Sequence, residues 1–141
     1  MKAKNYLSQV MKLDMMIKNK LIEREQWQSI AISTGTFSDG DRVQSSGSQQ
    51  KMADAVCRYV EIEKEIDRFI DELVGTKKEI VDTIEKLNAV EYDLLHLIYI
   101  QGKTFKEVAN LRGKTYNNVK NIHKRAIADV QKILDERENA K

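Results

Sequence analysis

Between Gln49 and Leu87 an apolar residue returns at every seventh position: Met52, Tyr59, Ile66, Leu73, Ile80 and Leu87. Seven residues are close to two turns of α-helix, so these side chains line one stripe of a helix, in the manner of a coiled coil. Ile62 and Phe69 supply a second seam position early, and Ile70 and Ile84 shift that seam later; Glu61, Glu63, Glu65, Asp67 and Arg68 flank it. The chain contains no Pro to interrupt the pattern. Gly75 costs about 1 kcal/mol relative to Ala and allows a bend. Fully helical, the segment would run for ~58 Å, and a helix of that length cannot bury its stripe alone.

The expected partner is the preceding helix, Asn5 to about Ile32, where Tyr6, Val10, Leu13, Ile17 and Leu21 follow at helical spacing. Trp27, with Ile30 or Ala31, closes its stripe as a packing anchor; Lys20 and Arg24 interrupt its edge. Ser33 to Gln50 changes character. Its glycines and its run of Ser, Thr and Asp predict a loop, with a turn at Asp39-Gly40 and a helix cap at Ser46 or Ser48. Asp39 and Asp41 fall far short of a calcium loop. The loop folds the two helices into an antiparallel hairpin, and the long helix's uncovered surface suits a second copy of the chain.

After Leu87 the pattern shortens. Asn88-x-x-Glu91 is a capping arrangement that opens a helix from about Ala89 to Gln101, with Val90, Leu94, Leu97 and Ile98 inward and Gly102 as its stop. His96 sits beside this stripe, and no second His or Cys lies three or four residues away. It reads as a packed, hydrogen-bonded residue. From Thr104 to Arg125 the buried positions have helix-turn-helix spacing: Val108 and Ala109, then Gly113, then Val119 and Ile122. Two steeply crossing helices need a small residue where their backbones approach, here Ala109, and the turn needs a residue that tolerates positive φ, here Gly113. Thr104-x-x-Glu107 predicts a capping box, and Thr115 caps the second helix. Ala126, Val130, Ile133 and Leu134 continue that helix, while Asp135 to Lys141 is expected to fray.

The expected architecture is therefore all-α. Residues 1–87 form a long N-terminal antiparallel hairpin arm, coiled-coil-like, with loop 33–50. Residues 88–141 form a C-terminal helix-turn-helix domain, so small that it leans on the long helix for support.

Composition adds the electrostatics. The net charge of +2 is unevenly spread. Gly102 to Ala128 holds Lys103, Lys106, Arg112, Lys114, Lys120, Lys124 and Arg125 against Glu107 alone, which is +6 in 27 residues and leaves −4 for the other 114. A basic patch on a helix-turn-helix is the footprint expected for phosphate. The exposed start of the second helix, Tyr116, Asn117, Asn118, Lys120 and Asn121, would face base edges, where Asn can donate and accept to adenine and Lys can donate to guanine. Lys103, Lys106, Lys114, Lys124 and Arg125 would grip phosphates. Asn is a poor helix former, so three of them in one short helix ask for another reason to be there.

The single Cys57 cannot form an internal disulfide and reads as a small buried or half-buried residue, not a nucleophile, in a reducing, cytoplasmic protein. No run approaches the ~18 apolar residues of a membrane span. No Cys/His pairing, metal-ligand cluster or nucleotide loop is present, so neither an enzyme nor a cofactor is expected.

Leu87-Asn88-Ala89-Val90-Glu91, Leu94-Leu95-x-Leu97-Ile98, Gly102 to Ala109 and Lys114-Thr115-x-x-x-Val119-x-x-Ile122 resemble region 4 of sigma-70-type transcription initiation factors. His123-Lys124-Arg125-Ala126-Ile127 resembles the lysine-alanine-leucine stretch that follows it. The whole chain is similar to sigma-like proteins of phages and prophages of Gram-positive bacteria, including Val43 to Gly47 and Asp135 to Glu138. The resemblance implies recognition of a −35-type promoter element by the second helix, 115–125. Tyr116-Asn117-Asn118 stands where bacterial sigma factors usually carry Arg and Glu, which implies a different DNA sequence. No aromatic-rich basic segment for trapping flipped bases appears, so recruiting or redirecting a host RNA polymerase is the expected role in initiation. The alternative reading is a phage assembly or DNA-packaging adaptor of small-terminase type, with the coil as oligomerising element.

Overall fold

Every regular element among the described residues, 1–36 and 46–140 of the computed structural model, is helical. They are α1 (Ala3–Leu7), α2 (Gln9–Thr36), α3 (Ser46–Ile84), α4 (Ala89–Leu95) with a π-helical turn (His96–Ile100), α5 (Phe105–Arg112) and α6 (Tyr116–Asn139). No helix among the described residues is long and apolar enough to cross a membrane.

Several boundaries differ from the sequence reading. The first helix is two, parted at Ser8, whose N–H bonds Lys4 O at 3.0 Å. Residues 33–36 and 46–50 are helical, so the structured ends of α2 and α3 invade the expected loop; Asp39, Gly40 and Asp41 lie outside the described residues. Ser48 stands inside α3, and Ser46 is the first helical residue. Cys57 is exposed rather than buried, because it falls off the stripe marked by Ala55, Ile62 and Ile66. The expected fraying tail is helical to Asn139, with Arg137 engaged in tertiary hydrogen bonds.

The chain divides into two compact units. Asp14–Glu72 is one of them. Among the described residues its buried apolar side chains are Ile17, Ala55, Ile62 and Ile66, and the Lys20 ammonium meets Glu65 at 2.9 Å, tying α2 to α3. Arg58 reaches the same carboxylate at 3.4 Å and Glu61 at 3.1 Å. Ile70, expected in the seam, is 42% exposed.

Met1–Leu13 and Leu73–Lys141 make the other unit, which is larger than residues 88–141. Leu7, Ile80, Ile84, Leu95, Val108, Val119 and Val130 are its most completely buried large side chains. Thr83, also fully buried, is satisfied on every side. Its hydroxyl donates to Glu79 O at 3.0 Å and accepts from the Tyr6 hydroxyl at 2.9 Å and from Arg137 at 2.7 Å. One residue from each of α1, α3 and α6 thus meets at a single oxygen.

The fourth helix buries a different face from the one expected, and it ends in a π-helical turn. The Gln101 N–H bonds His96 O at 2.9 Å, five residues back. Leu95 and Tyr99 come inward with Leu94, Leu97 and Ile98, while Val90, expected inside, is 50% exposed. Gly102, at φ 75°, ends the element as its sequence position predicts, and Lys103 N–H returns to Leu97 O at 2.9 Å.

Candidate nucleic-acid interface

The capping predicted for α5 and α6 is present atom for atom. Thr104 Oγ1 accepts from Glu107 N–H at 3.1 Å, and Glu107 Oε1 accepts from Thr104 N–H at 3.1 Å. These bonds hold the Glu107 carboxyl below its usual range. Gly113 follows α5 at φ 64°, and Lys114 N–H closes onto Ala109 O at 2.9 Å. Thr115 Oγ1 accepts from Asn118 N–H at 3.1 Å and opens α6. The connection is thus only Gly113 to Thr115, and the small Ala109, 8% exposed, sits in the core with Val108.

The start of α6 separates cleanly into two faces. Val119 and Ile122 are buried at 0% and 3% exposed, while Tyr116, Asn117, Asn118, Lys120 and Asn121 are all exposed. The Tyr116 ring is not free-standing: its centroid lies 6.2 Å from that of Phe105, and the Lys120 ammonium lies over it at 5.6 Å. Asn117 and Asn121 lie on one face of the helix, four residues apart.

Behind this surface, His123 is buried and hydrogen-bonded to the Tyr99 hydroxyl at 2.8 Å, with its ring 4.8 Å from that of Phe105. Burial, and secondarily the charge of Lys4, push the His123 pKa down; burial pushes the Tyr99 phenol up. His123 therefore braces α6 as a neutral ring. Sequence reading missed this role, since a polar residue at that position of the stripe reveals nothing about a Tyr 24 residues away. His96 is half-buried and bonded to Gln101 at 3.0 Å.

The predicted phosphate contacts fare unequally. Lys106 and Lys124 are exposed and form no ion pair among the described residues. Lys103 and Lys114 are half-buried, and Lys114 lines a cavity of about 180 Å³ with Val90, Asp93, Val108 and Arg112. Arg125 is exposed but borders the carboxyl of Glu91. Arg112, counted in the basic patch, is taken up by Asp93: its Nε and a terminal nitrogen donate to the two carboxylate oxygens at 2.6 and 2.8 Å. This fork fastens α4 to α5 and holds the Asp93 carboxyl below its usual range.

Glu91 shows the opposite shift. Asn88 caps α4 by accepting from Glu91 N–H at 2.9 Å, as predicted, but the Glu91 side chain is 7% exposed. Burial first, and Asp129 of α6 second, push its carboxyl up. Among the described residues, no cluster of three His, Cys, Asp or Glu could hold a metal ion.

Residues 83–132 match the family model described as Sigma-70, region 4, whose domains are non-catalytic DNA-binding modules. No curated protein and no solved structure matches the chain. The chain carries a sigma-70 region 4-like domain over residues 83–132.

Proposed function

We propose that this protein is a sequence-specific, DNA-binding transcriptional regulator that reads promoter DNA with the helix 115–125. The observation that carries this reading is the exposed row Tyr116, Asn117, Asn118, Lys120 and Asn121, set on a helix start that Thr115, Val119 and Ile122 fix in place. In the proposed mechanism, α5 and α6 act as a helix-turn-helix and α6 enters the major groove. Asn117 and Asn121 donate and accept at adenine edges, and Lys120 donates at guanine, leaving the Tyr116 ring to do so. Lys106 and Lys124 neutralise phosphates most directly; Lys103, Lys114 and Arg125 join them from the margins. The protein acts in the cytoplasm of a phage-carrying bacterium by recruiting or redirecting the host RNA polymerase. The Asp14–Glu72 hairpin is its dimerisation arm, for which the exposed Val56, Val60 and Ile70 on α3 speak.

Selection of bound sequences from random duplex DNA tests the proposal. A defined consensus is expected, and Asn117→Ala with Asn121→Ala should erase ~2–6 kcal/mol of its discrimination while leaving salt-dependent binding. A consensus unchanged in the double variant would refute the assignment of these residues. A dimer at sedimentation equilibrium fits a regulator, whereas a high-order ring would favour the packaging adaptor.

A further inference from the structure

On α6 the positions 120, 124, 127 and 131 form one row, each lying nearly above the last at helical spacing. The first two are Lys120 and Lys124, both exposed. Ile127 and Gln131 carry no charge, and the basic row would end there by sequence. The structure covers that half of the row with α1. Ala3 is 1% exposed; its N–H donates to Gln131 Oε1 at 2.8 Å, and Gln131 Nε2 donates to Met1 O at 3.2 Å. Tyr6 and Leu7, at 4% and 0% exposed, fix the short helix from its other side. Lys2 and Lys4 are left exposed, and with Asn5, Ile127 and Gln131 they line an open concavity of about 490 Å³.

We infer that Lys2 and Lys4 are DNA-backbone contacts: α1 restores the positive row of α6 where its own residues turn neutral, extending the phosphate grip beyond the helix-turn-helix. Seven residues of helix separate Lys120 from Ile127, ~10 Å at 1.5 Å each, a step that long lysine side chains bridge to follow one strand outward from the groove. The charge of Lys4 is also felt at His123, in the first half of α6. Sequence alone could not pair these lysines with that helix, since more than 100 residues intervene. The inference rests on the DNA-binding reading above.

The test is the salt dependence of binding by the full chain to a mixed-sequence duplex, for the wild type, Lys2→Gln with Lys4→Gln, and Lys2→Arg with Lys4→Arg. The glutamine variant should lower the slope of log K against log salt by ~1–2, about 0.9 per phosphate lost, with the selected consensus unchanged and thermal stability intact. The arginine variant should keep the wild-type slope. A wild-type slope in the glutamine variant overturns the inference alone, leaving the Asn117 and Asn121 assignment standing. A wild type that binds no duplex DNA overturns both.

Discussion

The two compact units of this chain are both helical, yet they are held by different means. Met1–Leu13 with Leu73–Lys141 buries a continuous cluster running from Ala3 to Leu134, and its polar groups are drawn into it: the Thr83 hydroxyl, the Tyr99–His123 pair and the Glu91 carboxyl. Asp14–Glu72 buries Ile17, Ala55, Ile62 and Ile66, and joins its helices at the surface through Lys20, Arg58 and Glu65. Surface ion pairs contribute little, and two helices offer each other a single stripe. A long amphipathic pattern therefore specifies a helix more firmly than it specifies a stable fold. The unit that carries the proposed DNA-reading helix is the one whose helices are packed on several sides.

Cavity-making substitutions separate the two units most strongly. Ile84→Ala and Ile62→Ala both remove side chains that are 0% exposed, a change that costs ~2–5 kcal/mol. Ile84→Ala should lower the thermal midpoint of the unit that carries α4 to α6. Ile62→Ala should raise hydrogen exchange at amides of 14–72 and spare α5 and α6. Equal loss of protection in both units after Ile62→Ala would mean that they unfold together, and the contrast would fail.

The buried carboxyl gives an effect of intermediate size with a defined sign. Glu91 has its folded pKa raised from 4.5 by burial and by Asp129. The folded state thus holds that proton more tightly than the unfolded chain, and stability falls as pH rises from 4.5 through the raised value. Glu91→Gln should add about 1 kcal/mol at neutral pH and remove that dependence. His123, lowered from 6.5, works the other way: the unfolded chain protonates first, so stability is lost as pH falls below 6.5. Thermal melts of Glu91→Gln across acid to neutral pH should therefore show a loss of stability on acidification that is steeper than in the wild type. A wild-type profile would show that the Glu91 carboxyl does not govern this dependence.

The smallest effect belongs to the surface of Asp14–Glu72. Lys20→Gln should cost ~0.5 kcal/mol, and the difference should shrink in high salt, because Lys20 and Glu65 keep 22% and 23% of their side-chain surface exposed. A loss of several kcal/mol would show this pair to matter as much as the apolar core.

Much of the candidate site was legible in the residues. Thr104, Glu107, Gly113 and Thr115 act within a few positions of themselves, so their caps and turn could be named before any fold was known. The same locality made Val119 and Ile122 readable as inward and Asn117 and Asn121 as outward. The basic patch was less legible. A window of sequence counts Arg112 and Arg125 as part of it, whereas packing brings Asp93 to the first and the Glu91 carboxyl near the second. The π-helical turn was also invisible, since one extra residue in a helical turn leaves no mark on composition.

Residue order alone settles that the described chain is helical, where α5 and α6 start and where α5 stops, and which side chains at the start of α6 face outward. Caps, glycine turns and apolar periodicity act over a few residues, and local physics suffices for them. Packing settles the rest: that the first residues complete the unit bearing α6, that Thr83 joins three helices at one hydroxyl, and which cations remain unpaired. Those outcomes depend on which distant surfaces meet, and neither burial nor charge pairing has a fixed distance along the chain.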